Sequence, residues 1–83
     1  MSEANKEKKI DDSAYVELLA KRIRSLRIER GYTSHETFAY EHNIPRAQYG
    51  RYERGEDLRF TSLVKIVRAF GMTLEEFFSE GFE

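Results

Sequence analysis

Asn43-Ile44-Pro45-Arg46-Ala47-Gln48-Tyr49-Gly50-Arg51-Tyr52-Glu53-Arg54-Gly55 reads as a tight turn, a short helix and a stop. Asn43 is one of the few residues besides glycine that enter the left-handed region cheaply. Pro45 sets φ for a first helical turn and lacks an N–H that would be orphaned there, so a helix is expected to begin near it. In that helix Tyr49 and Tyr52 fall three apart on one face, which is expected to anchor in a core. Arg46, Ala47, Gly50 and Arg51 share the other face. Gly55 stands where glycine ends helices, at the C′ position. One face is apolar and anchored, and the other is free to touch an anion.

The flanking sequence supports this stretch. A chain of 83 residues makes one domain with a modest core. It is 40% apolar, with five Tyr, six Phe and a single Pro, and it has no alternating β-branched run. That composition predicts an all-α fold. Cysteine is absent, no signal peptide is evident, and no apolar run approaches bilayer length. A soluble cytoplasmic protein without membrane association is therefore expected.

The net charge of −1 conceals an uneven distribution. Residues 1–20 carry three Lys against five acids, and residues 55–83 carry three basic residues against six acids. Residues 21–54 carry eight Lys and Arg against four Glu. An anionic partner would sit against the basic middle block, although solvated helix faces produce similar blocks.

Five helices are expected. Residues 1–10 are polar, mixed in charge and aperiodic, and read as a flexible tail; residues 11–83 form the domain. The first helix starts at the Asp11-Asp12-Ser13 capping cluster and runs to Arg30 before Gly31. Its core stripe is Tyr15, Leu19, Ile23 and Leu26, with Lys21, Arg22, Arg24 and Arg27 on the remaining arc. The second is capped by Ser34, or by Thr33 in a box with Glu36, and reaches about His42 with Phe38 and Ala39 inward. The fourth is capped by Thr61 or Ser62, faces the core with Leu63, Ile66, Val67 and Phe70, and ends at Gly71. Thr73 and Glu76 form a capping box that opens the fifth, where Leu74, Phe77 and Phe78 are apolar.

Neither histidine suggests a metal site. His35 and His42 are seven residues apart, about 10 Å along a helix, too far to share one ion without other ligands. No nucleophile elbow, metalloprotease signature or glycine-rich phosphate loop occurs, so no enzyme, metal or cofactor is expected.

A set of words in fixed order carries a family resemblance. They are Leu26-Arg27 and Gly31, Phe38-Ala39, Arg51-Tyr52-Glu53-Arg54-Gly55, Leu63 through Gly71, and Thr73 through Phe78. Together they resemble the Cro and phage-repressor (XRE-type) helix-turn-helix domain over about residues 15–78. The resemblance implies a five-helix repressor-like fold whose third helix, about 45–54, lies in the major groove of double-stranded DNA. It implies base contacts at Arg46, Ala47, Gly50 and Arg51, and phosphate contacts at His35, Gln48, Arg54 and Arg59. It also implies a buried structural salt bridge between Arg27 and Glu53. Independently of the resemblance, arginine is the side chain that forks guanine O6 and N7. The chain departs from the family pattern in its turn, where Asn43 and Pro45 replace the common Gly and Ser or Thr. His35 replaces a usual Gln and His42 a usual aliphatic residue. The connector after Gly31 is also one residue longer.

These features predict a sequence-specific transcriptional regulator, a homodimer on a palindromic site, with Phe77, Phe78 and Phe82 as surplus apolar area for the dimer contact. Two readings stand beside it. One is an antitoxin-type regulator that also binds a partner protein; the other is a helical interaction module without DNA binding.

Overall fold

The computed structural model describes residues 11–82, in which five helices follow one another: α1 (Asp12–Glu29), α2 (His35–Glu41), α3 (Arg46–Glu53), α4 (Phe60–Ala69) and α5 (Leu74–Phe77). No strand occurs among the described residues, and the tail expected over 1–10 lies outside them.

Four consecutive helices end by one device. After α1, α2, α3 and α4 the residue two past the helix has positive φ: Gly31 (92°), Asn43 (58°), Gly55 (98°) and Gly71 (74°). Each left-handed residue lets its own N–H and the next one return to carbonyls of the last helical turn. After α2, for example, Ile44 N–H bonds to Ala39 O at 2.9 Å and Asn43 N–H to Tyr40 O at 3.3 Å. This is the Schellman motif, which satisfies carbonyls that the helix leaves unpaired. The turn at Asn43 is thus the same reversal that glycine makes at the other three ends, with Lys65 Nζ holding the Asn43 carbonyl at 3.0 Å.

The starts are more varied, and several differ from expectation. Asp11 occupies the N-cap of α1, yet its carboxylate accepts from Ser13 Oγ at 3.2 Å and caps no amide. Ser34 caps α2 by accepting from the N–H groups of Glu36 and Thr37, and Thr33 takes no part. Pro45 stands one residue before α3, extended at ψ 129°, so the first helical residue is Arg46. Thr61 and Ser62 do not cap α4, because the Arg59 carbonyl already accepts from Leu63 N–H at 3.0 Å. That bond starts the helix at Phe60. Thr73 and Glu76 do form the reciprocal capping box of α5.

Phe38 is the hub of the core. Its fully buried ring lies 5.0 Å from Phe70, the C-cap of α4, and 5.2 Å from Tyr49 of α3. Tyr32, in the connector before α2, is also 5.2 Å away and His42 is 4.5 Å away. One side chain therefore joins three helices and two connectors, and burying it contributes about 1.5–3 kcal/mol of transfer free energy. Ile23, Leu26, Ala39, Ile44, Tyr52, Leu63, Ile66, Val67 and Phe77 complete the interior. Tyr15 does not belong to it. At 45% exposure it lines an apolar groove with Val16, Leu19, Phe78 and Phe82, at the end of α1 whose neighbour is the C-terminal segment. Phe77 is buried, so it is core rather than surplus surface, while Phe78 remains 43% exposed.

Candidate nucleic-acid interface

The third helix is fixed from behind. Tyr49 and Tyr52 are buried among the core residues, while Arg46, Ala47 and Arg51 are exposed on the opposite side. Eight residues of helix carry little intrinsic stability, so the tertiary contacts hold α3 in place. One of them is a two-pronged ion pair. Arg27 of α1 donates from Nε to Glu53 Oε2 at 2.8 Å and from Nη2 to Glu53 Oε1 at 3.0 Å. Its Nη1 donates to the Tyr32 carbonyl at 2.8 Å, and the two side chains are only 6% and 7% exposed. The hydrogen bond it donates to Glu53 raises the Arg27 pKa further, so the guanidinium stays charged.

Other side chains ring this helix. Gln48 Nε2 donates to Tyr52 Oη, one turn further along α3. Gly50 is buried, contrary to a place on the exposed face, because the His35 ring of α2 lies over it. A Cβ at that position would come 3.1 Å from His35 Nε2 and 3.4 Å from Arg54 Nη1. The close approach that glycine permits is thus between α3 and the start of α2. The Glu41 carboxylate accepts from Tyr32 Oη at 2.7 Å, which raises that phenol's pKa and fastens the connector to α2. Arg54 is exposed at the C-cap of α3 and Arg59 at the N-cap of α4.

The basic block is smaller as a surface than as a sequence. Arg27 is consumed in its buried pair. Arg22 reaches across to the C-terminal end of α5, donating to the Phe77 carbonyl at 2.8 Å and the Glu76 carbonyl at 3.1 Å. Arg30 does the same for α4, donating to the Phe70 carbonyl from Nε at 3.3 Å and Nη2 at 3.1 Å. Cations at these ends satisfy unpaired carbonyls and oppose the negative pole of the helix dipole. Lys21, Arg24, Arg46, Arg51 and Arg54 remain exposed, and Arg51 makes an ion pair with Glu56 at 3.0 Å. Sequence reading passed over Glu56; its place directly after Gly55 was the available signal, since a Schellman end returns that residue to Arg51.

A short helix anchored by buried aromatics, presenting arginines, and set behind another helix by a tight turn defines a helix-turn-helix DNA-binding domain. The family model described as "Helix-turn-helix" matches residues 23–77, and the chain belongs to the Cro and phage-repressor (XRE-type) helix-turn-helix family. It is a DNA-binding helix-turn-helix regulator, and no helix among the described residues is long and apolar enough to cross a membrane. No curated protein and no solved structure gives a match.

Proposed function

We propose that the protein is a sequence-specific transcriptional regulator that inserts α3 into the major groove of operator DNA. The observation that carries this reading is the two-sided character of α3, with Tyr49 and Tyr52 buried while Arg46, Ala47 and Arg51 are exposed. Arg46 and Arg51 read base edges, guanine foremost, and Ala47 leaves room for the groove wall or touches a thymine methyl. His35, Gln48, Arg54 and Arg59 hold phosphates on either side, and positioning contacts of that kind fix register without reading sequence. Gly50 serves the interface indirectly, by letting His35 lie close to α3. The protein acts without catalysis, in the compartment that holds the DNA. It reads a palindrome as a homodimer, because one such helix buries too little for tight specific binding. Half-sites about 34 Å apart match two copies.

The test separates base readers from phosphate holders. Bound sites are first selected from random DNA. Arg46→Ala or Arg51→Ala is then expected to cost roughly 1–3 kcal/mol per half-site on the selected operator, relaxing preference at one base pair with less effect on random DNA. Arg59→Ala weakens operator and random DNA alike and flattens the slope of log K against log salt by about one unit. Uniform loss in the Arg46 and Arg51 variants, with base preference intact, would remove α3 as the reading element. No binding to any duplex at low salt would leave a helical interaction module.

A further inference from the structure

Three of the four Schellman ends close with an apolar residue after the left-handed one: Tyr32 after α1, Ile44 after α2 and Met72 after α4, all packed on the core. Such a residue ordinarily packs against the helical residue whose carbonyl it bonds. The end of α3 departs from this. There the two residues are Glu56 and Arg51, and their side chains make an ion pair, Nε to Oε1, at 3.0 Å. The backbone brings them together, since Glu56 N–H donates to the Arg51 carbonyl at 3.1 Å and Gly55 N–H to the Tyr52 carbonyl at 3.2 Å, with Gly55 at φ 98°. Only side-chain torsions remain to be ordered. The neighbouring acid is occupied elsewhere, as Asp57 Oδ1 accepts from Leu58 N–H at 2.8 Å.

We infer that Glu56 is a selectivity residue of the DNA-binding face, one that neutralises Arg51 in the free protein and thereby penalises loose phosphate binding more than the reading of a guanine edge. This rests on α3 as the reading element. Non-specific binding gains from every cation that replaces a phosphate counterion, and Arg51 carrying a carboxylate offers a phosphate little net charge. Glu56 itself repels the backbone. At guanine the balance differs: an end-on fork by the two Nη nitrogens satisfies O6 and N7 while Nε stays with Glu56. With 47% and 56% of their side chains exposed, the partners form a weak, exchangeable pair rather than a locked one. Discrimination between two targets is a difference of affinities, and a group that costs more on the wrong target raises it.

Equilibrium binding of the full chain, Glu56→Gln, Arg51→Ala and the double variant is measured on the duplex selected from random DNA and on a random-sequence duplex, each at several salt concentrations. Gln keeps the backbone bond and the side-chain length, and unchanged melting verifies that the fold is intact. Glu56→Gln is expected to tighten random-duplex binding about two- to fivefold, with a smaller gain on the selected duplex, so that the ratio of the two falls. In the Arg51→Ala background the same change is expected to leave the ratio where it was. An unchanged or increased ratio in Glu56→Gln, with Arg51→Ala still relaxing a base pair, overturns the role of Glu56 alone. If Arg51→Ala leaves every base preference intact, the reading role of Arg51 falls and takes the inference with it.

Discussion

Tyr49 is the residue on which the interior and α3 meet. Its ring is fully buried 5.2 Å from Phe38, and its hydroxyl has no hydrogen-bond partner among the described residues. Burial pushes its phenol well above the ordinary tyrosine range, and the nearby Glu53 carboxylate pushes the same way. Deleting a hydroxyl that has no partner removes a desolvation cost without stranding another group, so Tyr49→Phe is expected to change stability at neutral pH by less than about 1 kcal/mol. The same hydroxyl makes stability depend on alkaline pH. A folded-state pKa raised above the unfolded value of about 10 means that the unfolded chain releases its proton first, so stability is intact below that pH and declines above it. Tyr32, raised by its bond to Glu41, adds to the decline. Urea unfolding compared between about pH 9 and pH 11 is expected to show a shallower loss in Tyr49→Phe than in the parent. Equal losses would mean that the phenol titrates as freely as in the unfolded chain.

Among the elements, α1 and α3 are pinned together by Arg27 and Glu53, both nearly buried and bonded at 2.8 and 3.0 Å. Glu53→Ala strands the Arg27 charge and is expected to cost roughly 3–5 kcal/mol in chemical denaturation, whereas Glu56→Ala, which breaks an exposed pair, costs less than about 1 kcal/mol. Similar losses for both would mean that the Arg27 guanidinium finds water once Glu53 is gone. The contrast also explains what the sequence disclosed. Helix ends were legible at Gly31, Asn43, Gly55 and Gly71, because left-handed backbone restricts the residue locally. The inward faces of α2 and α4 were legible because helical spacing alone puts Phe38 with Ala39, and Leu63 with Ile66, Val67 and Phe70, on one side. The destinations of long cations were not. Arg22 sits on the polar arc of α1 and Arg30 at its C-cap, and nothing in the helical spacing tells that they reach carbonyls 55 and 40 residues further along. Gly50 was misplaced for a similar reason, since its neighbour His35 belongs to another helix and a face assignment within α3 does not see it.

For the whole molecule, the homodimer proposed above is expected to seat its second copy on the apolar groove formed by Tyr15, Val16, Leu19, Phe78 and Phe82. It lies on the first half of α1 and the C-terminal segment, neither of which carries the arginines proposed to read bases, so a second copy seated there leaves both α3 helices free. Phe78 is the residue to change, because 43% of it is exposed whereas Phe77 is fully buried. Phe78→Asp is expected to keep the helix content and the melting transition, which depend on Phe77 and the Phe38 cluster. It is expected to halve the mass seen in sedimentation, since a carboxylate facing its own symmetry copy in an apolar contact is strongly unfavourable. Operator binding then falls steeply, because a monomer forfeits the second half-site, while binding to random DNA falls less. A parent protein already monomeric well above the concentration at which it saturates the operator removes the dimer from the mechanism. A dimeric Phe78→Asp variant places the contact on another surface. If the parent is monomeric and the groove instead retains a co-expressed protein that Phe78→Asp releases, the surface serves a partner, as in an antitoxin-type regulator.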